Sequence, residues 1–271
     1  LECGPTKIMA GSTNKKAKKV AWVHCDLAKR NMQAPEKVQG HYAPYDKIIS
    51  VSRNVQRSFI QLFGNDPEVQ VLYNVIDETE IMDKAGEFPI CNPTFTFVSV
   101  GRLTHQKGFD RLLDACAMLK KDGNDFQLQI LGKGSDKENL ENQIIRNGLE
   151  NTVHLLGFRE NPYPYVKAAD TVVCSSRYEG MSTAVTEALI LGKPIVTTPC
   201  TGMDELLYDN EFGLITEDSV EGIYQGMKRM LEDAELREHY ARKAAVRGRD
   251  FSKDTLVKQT EQFFEELLKC V

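Results

Sequence analysis

No apolar run in this 271-residue chain approaches the roughly 20 residues that a membrane-crossing helix needs, and no secretory signal is readable at its start. Cysteine never occurs as a CxxC pair. The seven are scattered at Cys3, Cys25, Cys91, Cys116, Cys174, Cys200 and Cys270. An odd number, several of them inside apolar runs, argues for buried free thiols in a reducing compartment and against a disulfide framework. No His, Cys or carboxylate set has metal-ligand spacing. A compact GxGxxG loop is absent too: GKGSD at 132–136 does not supply one, which argues against a dinucleotide dehydrogenase. An excess of positive charge is also lacking. The net charge of −5 gives no reason to expect nucleic acid as the partner. The distribution is uneven, however. Residues 1–58 carry 11 Lys or Arg against 4 Asp or Glu, a net +7, which leaves −12 for the remainder. Such a basic first part can face phosphate groups or an anionic membrane surface, or be simply a solvated face.

What is present is alternation. Lys19–Val23, Lys47–Val51 and Val69–Tyr73 read as strands, with a helix from a Ser52 cap to about Phe63 between the second and third. Residues 83–93, with two prolines, read as a linker. From Thr94 the pattern becomes regular. Strands are expected at 95–100, 126–131, 153–156, 171–175, 194–198 and 213–215, and helices at about 109–121, 135–148, 162–168, 182–191, 219–248 (two) and 253–269. Strands apolar on both faces, alternating with helices, predict a parallel sheet covered on both sides. Ligands on such sheets bind beyond the C-terminal strand ends.

The residues with chemistry fall at those ends. GRLTHQKG (101–108) follows a strand at once: Gly101 permits a sharp turn, and Arg102 and Lys107 can both reach a diphosphate, where two cations would stabilise charge developing on a leaving phosphate. His105, between them, reads as a loop residue. In SSRYEGMSTAVTEALILGKP (175–194) two carboxylates lie eight positions apart. Glu179 sits at the strand end, where it can hold sugar hydroxyls with the backbone of Gly180, Met181 and Ser182. Glu187 sits two turns down the following helix, where it can accept ribose hydroxyls or be an ordinary helix-surface acid. The N-terminus of that helix, with Thr183, can face a diphosphate. Gly132 in GKG (132–134) is either a close-approach loop or a plain turn. Phe158 in Gly157-Phe158-Arg159 either meets a base or packs in the core. His24 ends the first strand, as a core histidine or as a group reaching the reaction centre. Ser52 is first a helix cap, and Asn74 makes a turn.

In this order WVHCD (22–26), IISVS (48–52), LYNVID (72–77), VGRLTHQKG (100–108), ILGKG (130–134), LLGF (155–158), EGMSTAVTEAL (179–189) and TGMDEL (201–206) resemble the retaining glycosyltransferases of family four, over nearly the whole chain. The resemblance implies an α/β, GT-B-type fold of two Rossmann-like domains. It implies a UDP- or GDP-linked nucleotide-sugar donor without a divalent metal, which suits the absence of an Asp-x-Asp signature. It further implies transfer of a hexose-type sugar, with retention, to a saccharide or lipid-linked saccharide acceptor. By the same resemblance Arg102 and Lys107 would clamp the diphosphate and Glu179 would hold the donor sugar. Thr183 would lie near the phosphates, Glu187 would bind ribose, and His24 would reach the transferred sugar. Retention without a covalent nucleophile implies a front-face reaction in which the leaving phosphate takes the acceptor's proton.

Two departures qualify this. Val75 follows Asn74 where the family places glycine, and nothing matches the family's early Gly-rich loop. The chain begins Leu-Glu-Cys-Gly without an initiator Met. The expectation is therefore a truncated N-terminal, acceptor-side domain (1–93), a complete C-terminal nucleotide-sugar domain (94–271) whose last helix crosses back to the first, and reduced transferase activity in this chain. LECGPTK and WVHCDL look most like capsular or exopolysaccharide transferases, which implies a cytoplasmic protein working at the inner face of the bacterial plasma membrane. The competing readings are a nucleotide-sugar-binding fragment without activity and a nucleotide-sugar 2-epimerase, whose extra acid and base residues are not identifiable.

Overall fold

The computed structural model describes residues 3–14, 16–29 and 40–269. The chain forms two compact units. The first comprises Leu1–Ile76, Tyr178–Met181 and Ser252–Val271, and the second Asp77–Arg177 and Ser182–Phe251.

The first unit is built on a parallel sheet in the order β1 (Val20–Val23), β2 (Lys47–Ser50), β3 (Val69–Val71). Neighbouring residues of a strand point to opposite faces, so Ile48 and Ile49 feed two different cores. On the Ile48 side lies the helix Arg53–Phe63. Ser52 caps it by accepting from the Val55 amide, and its Val55, Phe59 and Phe63 pack with Ala21, Val23 and Tyr42. On the Ile49 side Phe263 and Leu267 of the helix Lys253–Lys269 pack with Leu72, and Phe264 lies 6.5 Å from the Trp22 ring. A small parallel sheet covered by helices on both faces meets the requirement that such sheets be buried. The expectation of a truncated first domain is thereby corrected. Absence of a familiar loop is a statement about one motif, whereas these three strands and two helices close a Rossmann-like core of their own.

The second unit holds a six-stranded sheet, all parallel: β4 (Thr96–Val100), β5 (Gln127–Leu131), β6 (Val153–Gly157), β7 (Thr171–Cys174), β8 (Ile195–Thr197) and β9 (Leu214–Ile215). The spatial order is β6-β5-β4-β7-β8-β9. The chain winds outward from β4 through β5 to β6, then returns to lay β7 against the other side of β4. Phe97, Leu128 and Ile130 are fully buried, and Leu112, Leu113, Leu119 and Met227 of the helices Phe109–Lys121 and Val220–Glu232 pack onto them. The helices Thr183–Ile190 and Ala234–Gly248 pack on each other. One further helix, Glu78–Lys84, stands just ahead of and partly within the segment read as a linker. Asp77 caps it, its side chain accepting from the Glu80 amide at 3.1 Å.

The reversal of winding between β4 and β7 is what matters for function. Loops leaving the C-terminal ends of two neighbouring strands diverge there and leave a crevice, the usual ligand position of an open α/β sheet. The loops at this point are 101–108 after β4 and the chain after Cys174.

Candidate functional site

The 101–108 loop is fixed by backbone contacts before any side chain is considered. Gly101 N donates to Leu131 O at 2.9 Å and Leu103 N to Lys133 O at 3.0 Å. Gly132 has φ 154°, and a Cβ there would overlap the Gly101 carbonyl oxygen; one at Gly134 would overlap that of Leu103. The GKG segment is therefore a close approach of two strand-end loops and not a plain turn. The Lys107 stem lies across Gly101, its methylenes 3.1–3.3 Å from where a Cβ would stand. Arg102 is exposed, with one guanidinium nitrogen 3.3 Å from Gln106 Oε1. His105 is exposed and sits in a short 3-10 turn, His105–Lys107.

Between the ends of β4 and β7 a void of about 10 Å³, too small for a ligand, is lined by Lys107, Phe109, Val172, Val173, Ser176 and Val185. It brings Lys107 to the first turn of the helix Thr183–Ile190. Buried Ser182 caps this helix by accepting from the Val185 amide, and Thr183 is exposed. The remaining first-turn N–H groups carry the positive end of the helix dipole. One turn on, Glu187 is partly buried and accepts a long hydrogen bond of 3.4 Å from the Tyr163 hydroxyl. Burial pushes its carboxyl up to about 7, and the Tyr163 bond opposes that shift. Tyr163 is in turn pushed up to about 12 by burial and by the nearby Glu187.

Beyond β6, Phe158 is 62% exposed and so is not a core residue; the Lys133 ammonium lies 4.9 Å over its ring. Gly132 and Phe158 thus belong to adjoining loops.

Tyr178–Met181 belongs to the first unit. Glu179 is buried at 6% exposure. A Cβ on Gly180 would overlap the His24 carbonyl oxygen, so only glycine allows this segment to lie on the end of β1. Ser52 serves twice: it caps its helix and donates its hydroxyl to Gly180 O at 3.0 Å. Met181 packs against the first unit's core. His24 is exposed, which removes the reading of a core histidine. Just beyond it Asp26, 5% exposed, accepts from the Ser58 hydroxyl at 2.6 Å and the Ala28 amide at 3.0 Å, and so fixes the turn that follows His24.

Tyr163 and Asp26 were not singled out from sequence. Tyr163 lies 24 positions from its partner, and nothing local marks it. Among the described residues no group of three or more His, Cys, Asp or Glu side chains is placed to hold a metal ion.

The profile of the family described as "Glycosyl transferases group 1" matches residues 83–247. Among characterised relatives, the N-acetylgalactosamine-N,N'-diacetylbacillosaminyl-diphospho-undecaprenol 4-alpha-N-acetylgalactosaminyltransferase of Campylobacter jejuni is 38% identical over 215 residues, 78% of this chain and 58% of that protein. The chain spans between half and three-fifths of the length of the first curated relatives it matches. Among solved structures, Anabaena Alr3699/HepE in complex with UDP and glucose superposes with a TM-score of 0.80 at 23% identity, over 92% of this chain and 71% of that one. Sucrose-phosphate synthase from Thermosynechococcus elongatus gives 0.82 at 16% identity, over 93% and 68%. These likenesses give the fold, GT-B-type, and they run across both units, so the first unit matches folded structure in other proteins.

Proposed function

The chain belongs to the group 1 glycosyl transferases, and from that premise we propose that it binds a nucleoside-diphosphate sugar and transfers the sugar, with retention, to a saccharide or lipid-linked saccharide acceptor. The observation that carries this reading is the switch point of the second unit. There Lys107 and the first turn of the helix Thr183–Ile190 come side by side at the ends of β4 and β7, at the edge of the crevice that the diverging loops leave. A cation and a helix N-terminus beside one crevice suit an anion.

In this reading Arg102 and Lys107 take the diphosphate, with Ser182 and Thr183 offering helix N-terminal donors. As the glycosidic bond breaks, negative charge grows on the β-phosphate. Cations already in position lower that barrier without reorganising. Glu187 accepts ribose hydroxyls, and Gly132 and Phe158 border the base. Glu179 and the Gly180 backbone take hydroxyls of the donor sugar, and His24, against Gly180, reaches the same sugar. The bond from the anomeric carbon to the phosphate breaks while the acceptor oxygen bonds on the same face. The departing phosphate oxygen receives the acceptor's proton.

The name of the Campylobacter relative supports a diphospho-polyprenol-linked saccharide as the acceptor class, and the UDP in the Anabaena structure supports a uridine donor. No helix among the described residues is long and apolar enough to cross a membrane. The net +7 of residues 1–58 supports placement in the cytoplasm against an anionic membrane face.

The test is a calorimetric panel of UDP, GDP and ADP with their common sugar conjugates, run on wild type and on Lys107→Ala. One nucleoside diphosphate should bind, and the substitution should weaken it by about tenfold or more. Binding of none of them sinks the reading.

A further inference from the structure

We propose that Arg111, Arg177 and Asp110 form a positioning clamp that holds the Arg102–Lys107 loop in the shape that receives a diphosphate; this rests on the donor reading above. The two arginines reach across the switch point in opposite directions. Arg111, from the helix that follows the 101–108 loop, donates to Ser175 O at 3.1 and 3.0 Å and to Ser176 O at 2.9 Å, and pairs with Asp218 at 2.6 Å. Arg177, from the chain after β7, answers with two parallel bonds to the Asp110 carboxylate at 2.7 and 2.6 Å and a third to His105 O at 2.8 Å.

The consequence falls on the turn that carries Lys107. Three successive carbonyls of that turn are held from residues 175–177: His105 O by the Arg177 guanidinium, Gln106 O by the Arg177 amide at 2.8 Å, and Lys107 O by the Ser175 hydroxyl at 2.9 Å. With its carbonyls fixed on one side, the turn sends the Lys107 side chain the other way, across Gly101. Gly108, at φ 63°, closes the joint, because a Cβ there would overlap Ser175 O.

An exposed ion pair adds little to stability, and the Asp110 and Asp218 carboxylates are partly open to solvent, so the role of these contacts lies in their geometry. The Arg111 side chain is only 12% exposed, Arg177 pairs with its carboxylate two-pronged, and most of the donors go to backbone carbonyls. Such geometry specifies shape more than it adds stability. Arg111, Arg177 and Asp110 touch no reacting atom in this reading, so they act through Arg102 and Lys107.

The experiment compares Arg177→Gln, Arg177→Lys and Asp110→Asn with wild type in three readouts: thermal unfolding, amide hydrogen exchange over residues 104–108, and affinity for UDP against uridine. If the wild type takes GDP instead, GDP and guanosine replace them. The expected result is faster exchange at Lys107 and Gly108 and diphosphate affinity weakened about tenfold, with nucleoside affinity unchanged. Arg177→Lys should not rescue, since it keeps the charge and loses the fork. Equal losses for nucleotide and nucleoside, or rescue by lysine, would overturn the proposal. Unchanged exchange would overturn it independently of any ligand. Failure of the wild type to bind any nucleoside diphosphate would instead defeat the donor reading.

Discussion

Glu187→Gln separates what this residue does for a ligand from what it does for the fold, because the two effects have opposite signs. Burial raises the Glu187 carboxyl from an ordinary 4.5 to about 7. Only the ionised form offers both oxygens to a pair of ribose hydroxyls. Below pH 7 a proton must therefore leave before the ribose is taken, and affinity falls by up to tenfold per pH unit. At pH 5.5 that amounts to about 30-fold, or about 2 kcal/mol. The glutamine variant has no proton to lose, so its affinity is lower at pH 8 and does not carry this dependence. The nucleotide's own terminal phosphate also titrates, near pH 6 by analogy with phosphorylated side chains. The useful quantity is accordingly the ratio of wild-type to variant affinity, measured by calorimetry from pH 5.5 to 8.5, in which that contribution cancels. A ratio that is the same at pH 5.5 and pH 8 refutes the assignment.

Stability moves the other way. An acid whose folded pKa is raised keeps its proton in the native state after the unfolded chain has lost it. Between 4.5 and about 7 the native state binds more protons, so stability falls as pH rises and the full cost is present above 7. A rise from 4.5 to about 7 corresponds to at most about 3.4 kcal/mol, and because the carboxylate is only partly buried the expectation is about 1–2 kcal/mol. Glu187→Gln should therefore unfold at higher temperature than wild type at pH 8 and at the same temperature below pH 4.5. A variant that is less stable at pH 8 would mean that Glu187 is a structural residue.

Three further changes are informative. Gly132→Ala forces a Cβ onto the Gly101 carbonyl at a backbone angle that disfavours side chains; denaturant unfolding should show a loss of about 2–4 kcal/mol, and an unchanged midpoint would contradict the close approach. His24→Ala removes an exposed side chain, so the melting temperature and nucleoside diphosphate affinity should hold while sugar transfer to a polyprenol-linked acceptor drops by about tenfold or more; equal loss of nucleotide binding would remove His24 from the sugar end. Phe158→Ala, at an exposed ring under Lys133, should alter the preference among UDP, GDP and ADP in competition binding, and an unaltered preference would detach Phe158 from the base.

Much of the second unit could be read from the chain because its signals are local. Phe97, Leu128 and Ile130 announce fully buried strands, and the helices Phe109–Lys121 and Tyr163–Ala168 end where the pattern ends. The helix Glu78–Lys84 escaped because Ile81 is its one buried residue, so no apolar periodicity exists to detect. Its only mark was Asp77 followed three positions later by Glu80, a capping pattern. Strand order was not legible at all. Nothing local tells β7 to lie beside β4, and that adjacency makes the crevice. The pairing of Arg177 with Asp110 spans 67 positions and was invisible for the same reason. The truncated first domain was a different error. A missing motif bears on one loop, whereas closure of a core depends on the apolar faces of Ile48 and Ile49, each of which finds a helix.

The glycines of the switch point bear on how such a site can work. Gly108, Gly132 and Gly134 each stand where a Cβ would overlap a carbonyl of a neighbouring loop, so the loops after β4, β5 and β7 meet backbone to backbone. A loop held that way has little freedom to reshape when a ligand arrives. Stabilising charge that develops during bond cleavage requires that rigidity, because donors that must first reorganise give back part of what they contribute. In the proposed reading the same rigidity leaves discrimination among bases to a group that rises from this shelf into solvent, Phe158. Substitution of Phe158 should change which nucleotide binds with little effect on folding, whereas substitutions in the shelf should damage binding of every nucleotide alike.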